Sequence, residues 1–318
     1  MGSFEGNVVR NSLIGGVTFG LLALCPLFLG PDWTEPLTDI LIYSLLAISI
    51  ALDWTYGPLL MIGQALFFIL GGYVIAIFTK DMMYPNLMTS YIGLLFAVIA
   101  SAICALILAR LLFAGEKITT AGYITSILVI IALMVEWLIR YGDSLIGQNS
   151  LAEIPPSRLI AFGLSYELWD RLPDYYGVLC VVAATFFGAN FLIIRATKPS
   201  PMLKAFFTPR SDAPNKQILI YSVSAAISGL AGGLFVIFDG FVSPLLVGSS
   251  LLTETLTWAL LGGKEALLAI FLGEIFARSA ESWLIELVAN YWILLLGIII
   301  VIGTGFYVAI RKIVNKTE

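Results

Sequence analysis

Apolar residues run along this chain in long blocks that polar residues and Gly/Pro breaks interrupt at short intervals. A helix crossing the hydrocarbon core of a bilayer needs about 20 consecutive, predominantly apolar residues. The segments Ser12 to Gly30, Ser90 to Phe113, Ala121 to Ile139, Tyr175 to Ile194, Ile218 to Phe238 and Tyr291 to Ile310 answer that description. Between them lie less regular apolar stretches, Leu37 to Leu52, Pro58 to Phe78, Leu251 to Leu261 and Ala266 to Ile285. Together they predict an all-α polytopic transmembrane helix bundle of about ten spans, with the short ones crossing or re-entrant. The segment Arg140 to Asp174, broken by Pro155-Pro156 and Pro173, is the sizeable piece outside the bilayer. Its Tyr166, Trp169, Tyr175 and Tyr176 suit a membrane interface. No block is large enough for a soluble catalytic domain, so residues 1–318 read as a single transmembrane domain.

Composition agrees with that pattern. Hydrophobic residues make up 59% of the chain and charged residues only 12%, with a mean hydropathy of +0.97. A water-soluble surface needs more charge than this, so lipid is the solvent for much of the outer face. The formal net charge of −4 comes with no basic stripe able to neutralise nucleic-acid phosphates. Histidine is absent, which removes the commonest metal ligand and the commonest general base near neutral pH. Cys25, Cys104 and Cys180 each sit in an apolar run and read as packing groups before metal or redox sites. Leu22-Ala23-Leu24-Cys25 has the outline of a lipoprotein cleavage box, but Leu24 is bulky where a small residue is wanted. The block is therefore expected to stay as a first helix.

Charge also orients the bundle. Arg195, Lys198, Lys204, Arg210 and Lys216 crowd one connection, Arg311, Lys312 and Lys316 form the C-terminal tail, Arg110 and Lys117 flank another connection, and Arg10 precedes the first block. The stretch with Asp32, Glu35 and Asp39 has no basic residue, nor does Asp239 to Ser250. About ten crossings would put the basic clusters on the cytoplasmic side, with both termini inside. The Arg140 to Asp174 segment and a loop at Arg278 are the weaker exceptions.

Polar groups inside spanning helices are costly and become functional candidates by default. Here they are Asp53, Gln64, Glu136, Glu254, Lys264, Glu265 and Glu274. Asp53 ends an apolar run just before Thr55-Tyr56-Gly57-Pro58, a break that frees backbone groups to line a polar cavity. Gln64 opens the next run, and its neutral amide can donate and accept without trapping an ion. Both residues equally suit plain hydrogen bonding between helices. Glu254, one turn before Trp258, reads either as a pathway carboxylate or as an interface residue with Trp258 as its anchor. Glu136, beside Trp137, favours the interface. Gly262-Gly263-Lys264 is not a phosphate loop, because Trp258 occupies its first Gly position and Glu265 its Ser/Thr position. No ATP site, zinc signature or nucleophile elbow appears, and no motif supports Asp53 and Glu274 as an intramembrane protease pair. The chain reads as a transport subunit, not an enzyme, with no metal and no cofactor of its own.

One string carries a resemblance: Ala51-Leu52-Asp53-Trp54-Thr55-Tyr56, then Gly63-Gln64-Ala65-Leu66-Phe67-Phe68, then Gly71-Gly72-Tyr73. It resembles the Gly-His/Gln-x-x-Phe-Phe-x-x-Gly-Gly-Tyr segment of permease subunits in the branched-chain amino acid and urea ABC importers. Ser224-Ala225 with Gly229-Leu230-Ala231-Gly232-Gly233-Leu234, then Ser243-Pro244, Glu254, Gly262-Gly263 and Tyr291-Trp292 with Gly297, follow in the family's order. The resemblance runs from about the second helix to the C-terminus. It implies an inner-membrane permease that pairs with a second homologous permease subunit, two cytoplasmic ATPase subunits that use the ATP, and a periplasmic solute-binding protein. The solute would be a small polar organic molecule. Asp53 and Gly72, with Tyr291-Trp292, lean toward urea or a small amide over branched-chain amino acids. The substrate pathway is expected at Gln64, Asp53, Glu254 and Trp258. ATPase docking is expected at Lys204, Phe206, Phe207, Arg210 and Lys216.

The chain departs from the family where Phe206 to Gln217 is short and carries Pro209 and Pro214, which should shorten a docking helix. Pro58 and Met61 also replace a Gly and a Ser in the first string. The shortened segment keeps an alternative in view, an ATP-independent channel or facilitator for a small neutral solute.

Overall fold

In hydrocarbon each backbone N–H and C=O must be bonded within its own segment, so the apolar blocks fold as helices. A computed structural model describes residues 2–30, 33–56, 63–79, 87–113, 172–197, 212–242 and 267–288. They form α1 (Gly2–Leu29), α2 (Thr34–Tyr56), α3 (Gln64–Thr79), α4 (Leu87–Phe113), α5 (Leu172–Thr197), α6 (Asp212–Asp239) and α7 (Leu267–Val288).

The all-α bundle stands, but the expectation of about ten spans does not. Among the described residues there are 7 helices, of which 5 are long and apolar enough to cross a membrane. The spanning stretches are Ser12–Leu29, Thr34–Asp53, Ser90–Arg110, Leu172–Leu192 and Ile218–Asp239. Two blocks counted as crossings fall short for different reasons. Helix α3 has 16 residues, about 24 Å at 1.5 Å per residue against a core of about 30 Å. Its apolar character reflects burial among other helices, with Phe67, Phe68, Ile75 and Ala76 all covered by protein. In α7 the apolar stretch ends at Phe276, and Arg278, read as part of a loop, is inside the helix. The blocks Ala121 to Ile139, Leu251 to Leu261 and Tyr291 to Ile310 lie outside the described residues. Placing both termini in the cytoplasm required the even count of ten and falls with it.

Helices α2 and α6 form the interior. In each, 72% of the spanning window is buried, against 22% in α1, 33% in α4 and 39% in α5. Helix α6 packs on α4, α3 and α2, while α2 also holds α7 and α5, and α1 leans on α5. Helix α4 turns Ala97, Ser101, Ala105 and Ala109 inward and leaves Leu95, Ile99, Ile103 and Ile107 exposed. That is a small-residue face for close helix packing and a bulky face for lipid.

The α3–α4–α6 contact is unusually close. A Cβ added at Gly232 would fall on the Phe68 carbonyl, and one at Gly71 on the backbone of Gly229. One at Gly229 would strike the Ser101 side chain. Paired positions give the helix directions. Ser228 and Gly232 of α6 meet Gln64 and Phe68 of α3, so these two run parallel. Gly229 meets Ser101 and Gly233 meets Leu94, so α4 runs antiparallel to α6.

Helix α1 is fastened differently. Pro26 lies within it and has no N–H to give the Leu22 carbonyl one turn back. The Tyr175 hydroxyl of α5 donates to that carbonyl at 2.6 Å, and the Tyr176 hydroxyl donates to the Ala23 carbonyl at 3.1 Å. Tyr175 is thus a fully buried clamp and not the interface anchor expected from its sequence neighbourhood. Pro173, expected to break a helix, sits in the first turn of α5, where its missing N–H has no partner to lose. Phe19, Phe186, Phe187 and Phe271 complete this α1–α5–α7 junction, with ring centroids 5.2 to 5.8 Å apart. Helix α1 ends at Gly30 (φ +90°), whose N–H bonds the Pro26 carbonyl, and α6 ends at Gly240 (φ +68°), bonded to the Val236 carbonyl. Both are helix C-caps of the kind glycine adopts without a Cβ penalty.

Candidate functional site

Three helices bring polar side chains to one point. Asp53 lies in the last turn of α2, Gln64 is the first residue of α3, and Ser224 and Ser228 lie one turn apart on α6. All four are fully buried. The Gln64 amide nitrogen donates to Asp53 Oδ2 and, at 2.9 Å, to Ser224 Oγ. The Ser224 hydroxyl is 2.5 Å from Asp53 Oδ2 and 3.0 Å from the Tyr221 carbonyl, so its one proton has two acceptors. The Ser228 hydroxyl donates to the Gln64 backbone carbonyl at 2.6 Å.

Local sequence explains why these groups meet. The run of α2 stops at Tyr56, before Gly57-Pro58, and α3 starts with the Leu66 N–H on the Gly63 carbonyl. The turn-by-turn spacing of Ser224, Ser228 and Gly232 puts small residues on one strip of α6, which lets α3 lie against its backbone. Proximity then makes Gln64 a partner for Asp53 and Ser224.

The network is incomplete. Oδ2 of Asp53 has two donors, yet Oδ1 has no hydrogen-bond partner, nor does Gln64 Oε1. The Tyr221 hydroxyl, one turn before Ser224 and within electrostatic reach of Asp53, is also without one. Its ring packs edge-on to Phe67 at 5.6 Å. No Lys or Arg pairs with Asp53 among the described residues. Buried polar atoms are normally paired, so two unpartnered acceptors in one buried node mark it as more than packing.

Of the residues singled out from sequence, Asp53 and Gln64 are therefore in contact. Lys216 lies near the start of α6, whose first residue, Asp212, is six positions ahead of the expected Ile218. Pro214 does not break this helix, because it falls in the first turn. Glu254, Trp258, Lys204, Phe206, Phe207 and Arg210 lie outside the described residues, as do Glu136, Lys264 and Glu265. Glu274 is fully buried on α7, with Arg278 one turn on at 3.6 Å. The Arg278 guanidinium carbon sits 3.9 Å from the centre of the Tyr43 ring, and Tyr43 in turn packs against Phe68 and Phe235. Sequence pattern marked Glu274 but missed Tyr43, Tyr221 and Ser228. The i, i+4 spacing of Ser224 and Ser228 was the available signal.

At the other end of the bundle Glu35, Thr38, Asp39, Asp174, Phe238 and Asp239 line one pocket. The acidic ends of α2, α5 and α6 thus gather together, opposite the helix ends that carry Arg110, Arg195 and Lys216. This is the sidedness expected of a membrane protein whose basic end faces the cytoplasm. Among the described residues no group of three His, Cys, Asp or Glu could hold a metal ion.

Over 309 residues the chain is 22% identical to the high-affinity branched-chain amino acid transport system permease protein LivM of Escherichia coli (strain K12). The alignment covers 86% of this chain and 68% of that protein. The protein of the same name from Salmonella typhimurium (strain LT2) is 23% identical over the same shares. No family model matches the chain, and no solved structure does. The chain is similar to these permeases, and its 5 long apolar helices among the described residues are those of a multi-pass membrane protein.

Proposed function

We propose that the chain is the permease subunit of an ABC importer that moves a small polar organic solute into the cytoplasm. The observation that carries this reading is the buried Asp53–Gln64–Ser224 node, a polar station with unused acceptors where three helices of a lipid-embedded bundle meet. Polar groups are retained in such surroundings when they serve a path. In this reading Gln64 and Asp53 line the solute pathway, with Glu254 and Trp258 further along it. The solute presents N–H donors, a description that covers urea, small amides and branched-chain amino acids. A second homologous permease completes the membrane unit, and a periplasmic binding protein delivers solute from outside. Two cytoplasmic ATPases dock on the segment of Lys204, Phe206, Phe207, Arg210 and Lys216. The start of α6 at Asp212 supports that placement, because it extends the helix beyond the span at the basic end.

ATP hydrolysis by the partners drives transport if it switches the bundle between states of different solute affinity. The test is uptake into proteoliposomes holding the chain with its partner subunits. ATP-dependent uptake that Gln64→Ala reduces about tenfold without loss of assembly supports the pathway, a loss equivalent to about 1.4 kcal/mol. Uptake that proceeds without any ATPase replaces the importer with a facilitator. Normal uptake by Gln64→Ala removes Gln64 from the path.

A further inference from the structure

The main helix contacts divide the described bundle into two groups. Helices α3, α4 and α6 pack on one another, while α1 packs on α5, and both α5 and α7 pack on α2. Helix α2 is the described helix that also packs extensively on the first group, through α6 and α3. The boundary between the groups therefore follows one face of α2. Asp53 meets Ser224 toward the basic end and Tyr43 meets Phe235 toward the acidic end, so α2 and α6 run antiparallel along it. The pocket at the acidic end includes Asp39 and Asp239. These lie one turn before Tyr43 on α2 and one turn beyond Phe235 on α6, on the same helix faces. The Tyr43–Phe235 contact is thus the next layer below the pocket. Under it come Leu46, Ile50, Ser228 and Ala231, all enclosed, and then the Asp53 node, about 15 Å from Tyr43 at 1.5 Å per residue.

Resting on the pathway reading above, we infer that Tyr43 is the outer gate of a solute path along the α2–α6 boundary. Its ring is seated on Phe68, parallel at 6.4 Å, and on Phe235 at 5.9 Å, and both partners belong to the opposite group. The Arg278 guanidinium carbon holds the ring at 3.9 Å from its centre, and the fully buried Glu274 balances that charge from 3.6 Å. A cation is costly so far inside a helix bundle, and an arginine side chain that is still 14% exposed marks how far water reaches. The ring therefore stands between a wetted side, with Arg278 and the acidic pocket, and the dry layer of Leu46 and Ala231. Arg278 is on α7, so α7 moves with α2 and carries the ring along, while Phe68 and Phe235 stay behind. The path opens from the acidic end when this ring leaves its two partners, and from the basic end when the Asp53 node parts.

The test reads how fast a thiol placed below the ring reacts with a membrane-impermeant, charged thiol reagent applied from outside the cell. The full chain is used with its partner subunits, after Cys25, Cys104 and Cys180 are replaced by alanine. Ala231→Cys is the reporter, and Ala97→Cys, enclosed between α4 and α6 away from the boundary, is the control. Tyr43→Ala should speed labelling of the reporter about tenfold, the factor expected for losing two ring contacts. Tyr43→Phe keeps the ring and should leave the reporter slow. Glu274→Gln combined with Arg278→Gln, which strands no buried charge, should speed it about threefold; if Tyr43→Ala does not assemble, this pair decides. The control should stay slow throughout. A control that speeds up equally shows general loosening and overturns the gate. A reporter that stays slow in Tyr43→Ala, or speeds up as much in Tyr43→Phe, overturns it too. The expected labelling without ATP-driven uptake by the unsubstituted chain removes the importer and keeps the gate; intact uptake with a slow reporter removes this gate alone.

Discussion

The two junctions of this bundle solve the same packing problem with opposite materials. Where α3, α4 and α6 meet, glycine and serine let backbones touch, and hydroxyl bonds such as Ser228 to the Gln64 carbonyl cross the gap. Where α1, α5 and α7 meet, Phe19, Phe186 and Phe271 fill the space with rings. The contrast is clearest in what an added methyl group would meet. At Gly232 it is the backbone carbonyl of Phe68, which cannot move without its helix. At Gly15 it is the Phe186 ring edge, 2.6 Å away, and a ring can turn. The first junction is therefore a fixed unit and the second a deformable one, and the polar node sits where α2 joins the fixed unit.

The same substitution made in both places is the sharpest way to break that comparison. Gly232→Ala should destabilise by about 3 kcal/mol, the upper part of the range for overpacking, and collapse the monodisperse peak in detergent chromatography. Tyr175→Phe should cost about 1–2 kcal/mol by leaving the Leu22 carbonyl without its donor inside the protein. A stability loss read by denaturant titration in mixed micelles, with the overall helix signal unchanged, is the expected result. Gly15→Ala should cost about 1 kcal/mol or less, since helix propensity gained by alanine offsets the ring displacement. Should Gly15→Ala prove as damaging as Gly232→Ala, the division into fixed and deformable junctions is wrong.

Sequence pattern located the described helices because hydropathy reports where a backbone must bond to itself. It placed their ends less well. Helix α6 begins at Asp212 instead of Ile218, and α1 already includes Gly2, ahead of Ser12, because helices continue past the lipid boundary that hydropathy detects. Asp53 and Gln64 were legible as candidates, since a polar side chain in an apolar block is conspicuous. That they touch was not, because the sequence between them leaves their separation open. Tyr221 and Tyr43 went unmarked, since an aromatic residue looks the same in sequence whether it faces lipid, water or a neighbouring polar group, and Arg278 was read as part of a loop because its charge interrupts an apolar run.

The residue order by itself determined that this is an all-helical membrane protein with an acidic and a basic end, because hydropathy and charge act on each segment separately. Its string from Asp53 to Tyr73 also carried the permease relationship. Only the tertiary structure decided how many of the described blocks are long enough to cross, and which polar groups lack a partner. Both depend on what surrounds each helix. Most of the apolar surface of α3 is covered by protein, with Ile77 and Phe78 left exposed, whereas one whole face of α4 is open to lipid, and hydropathy cannot distinguish the two solvents.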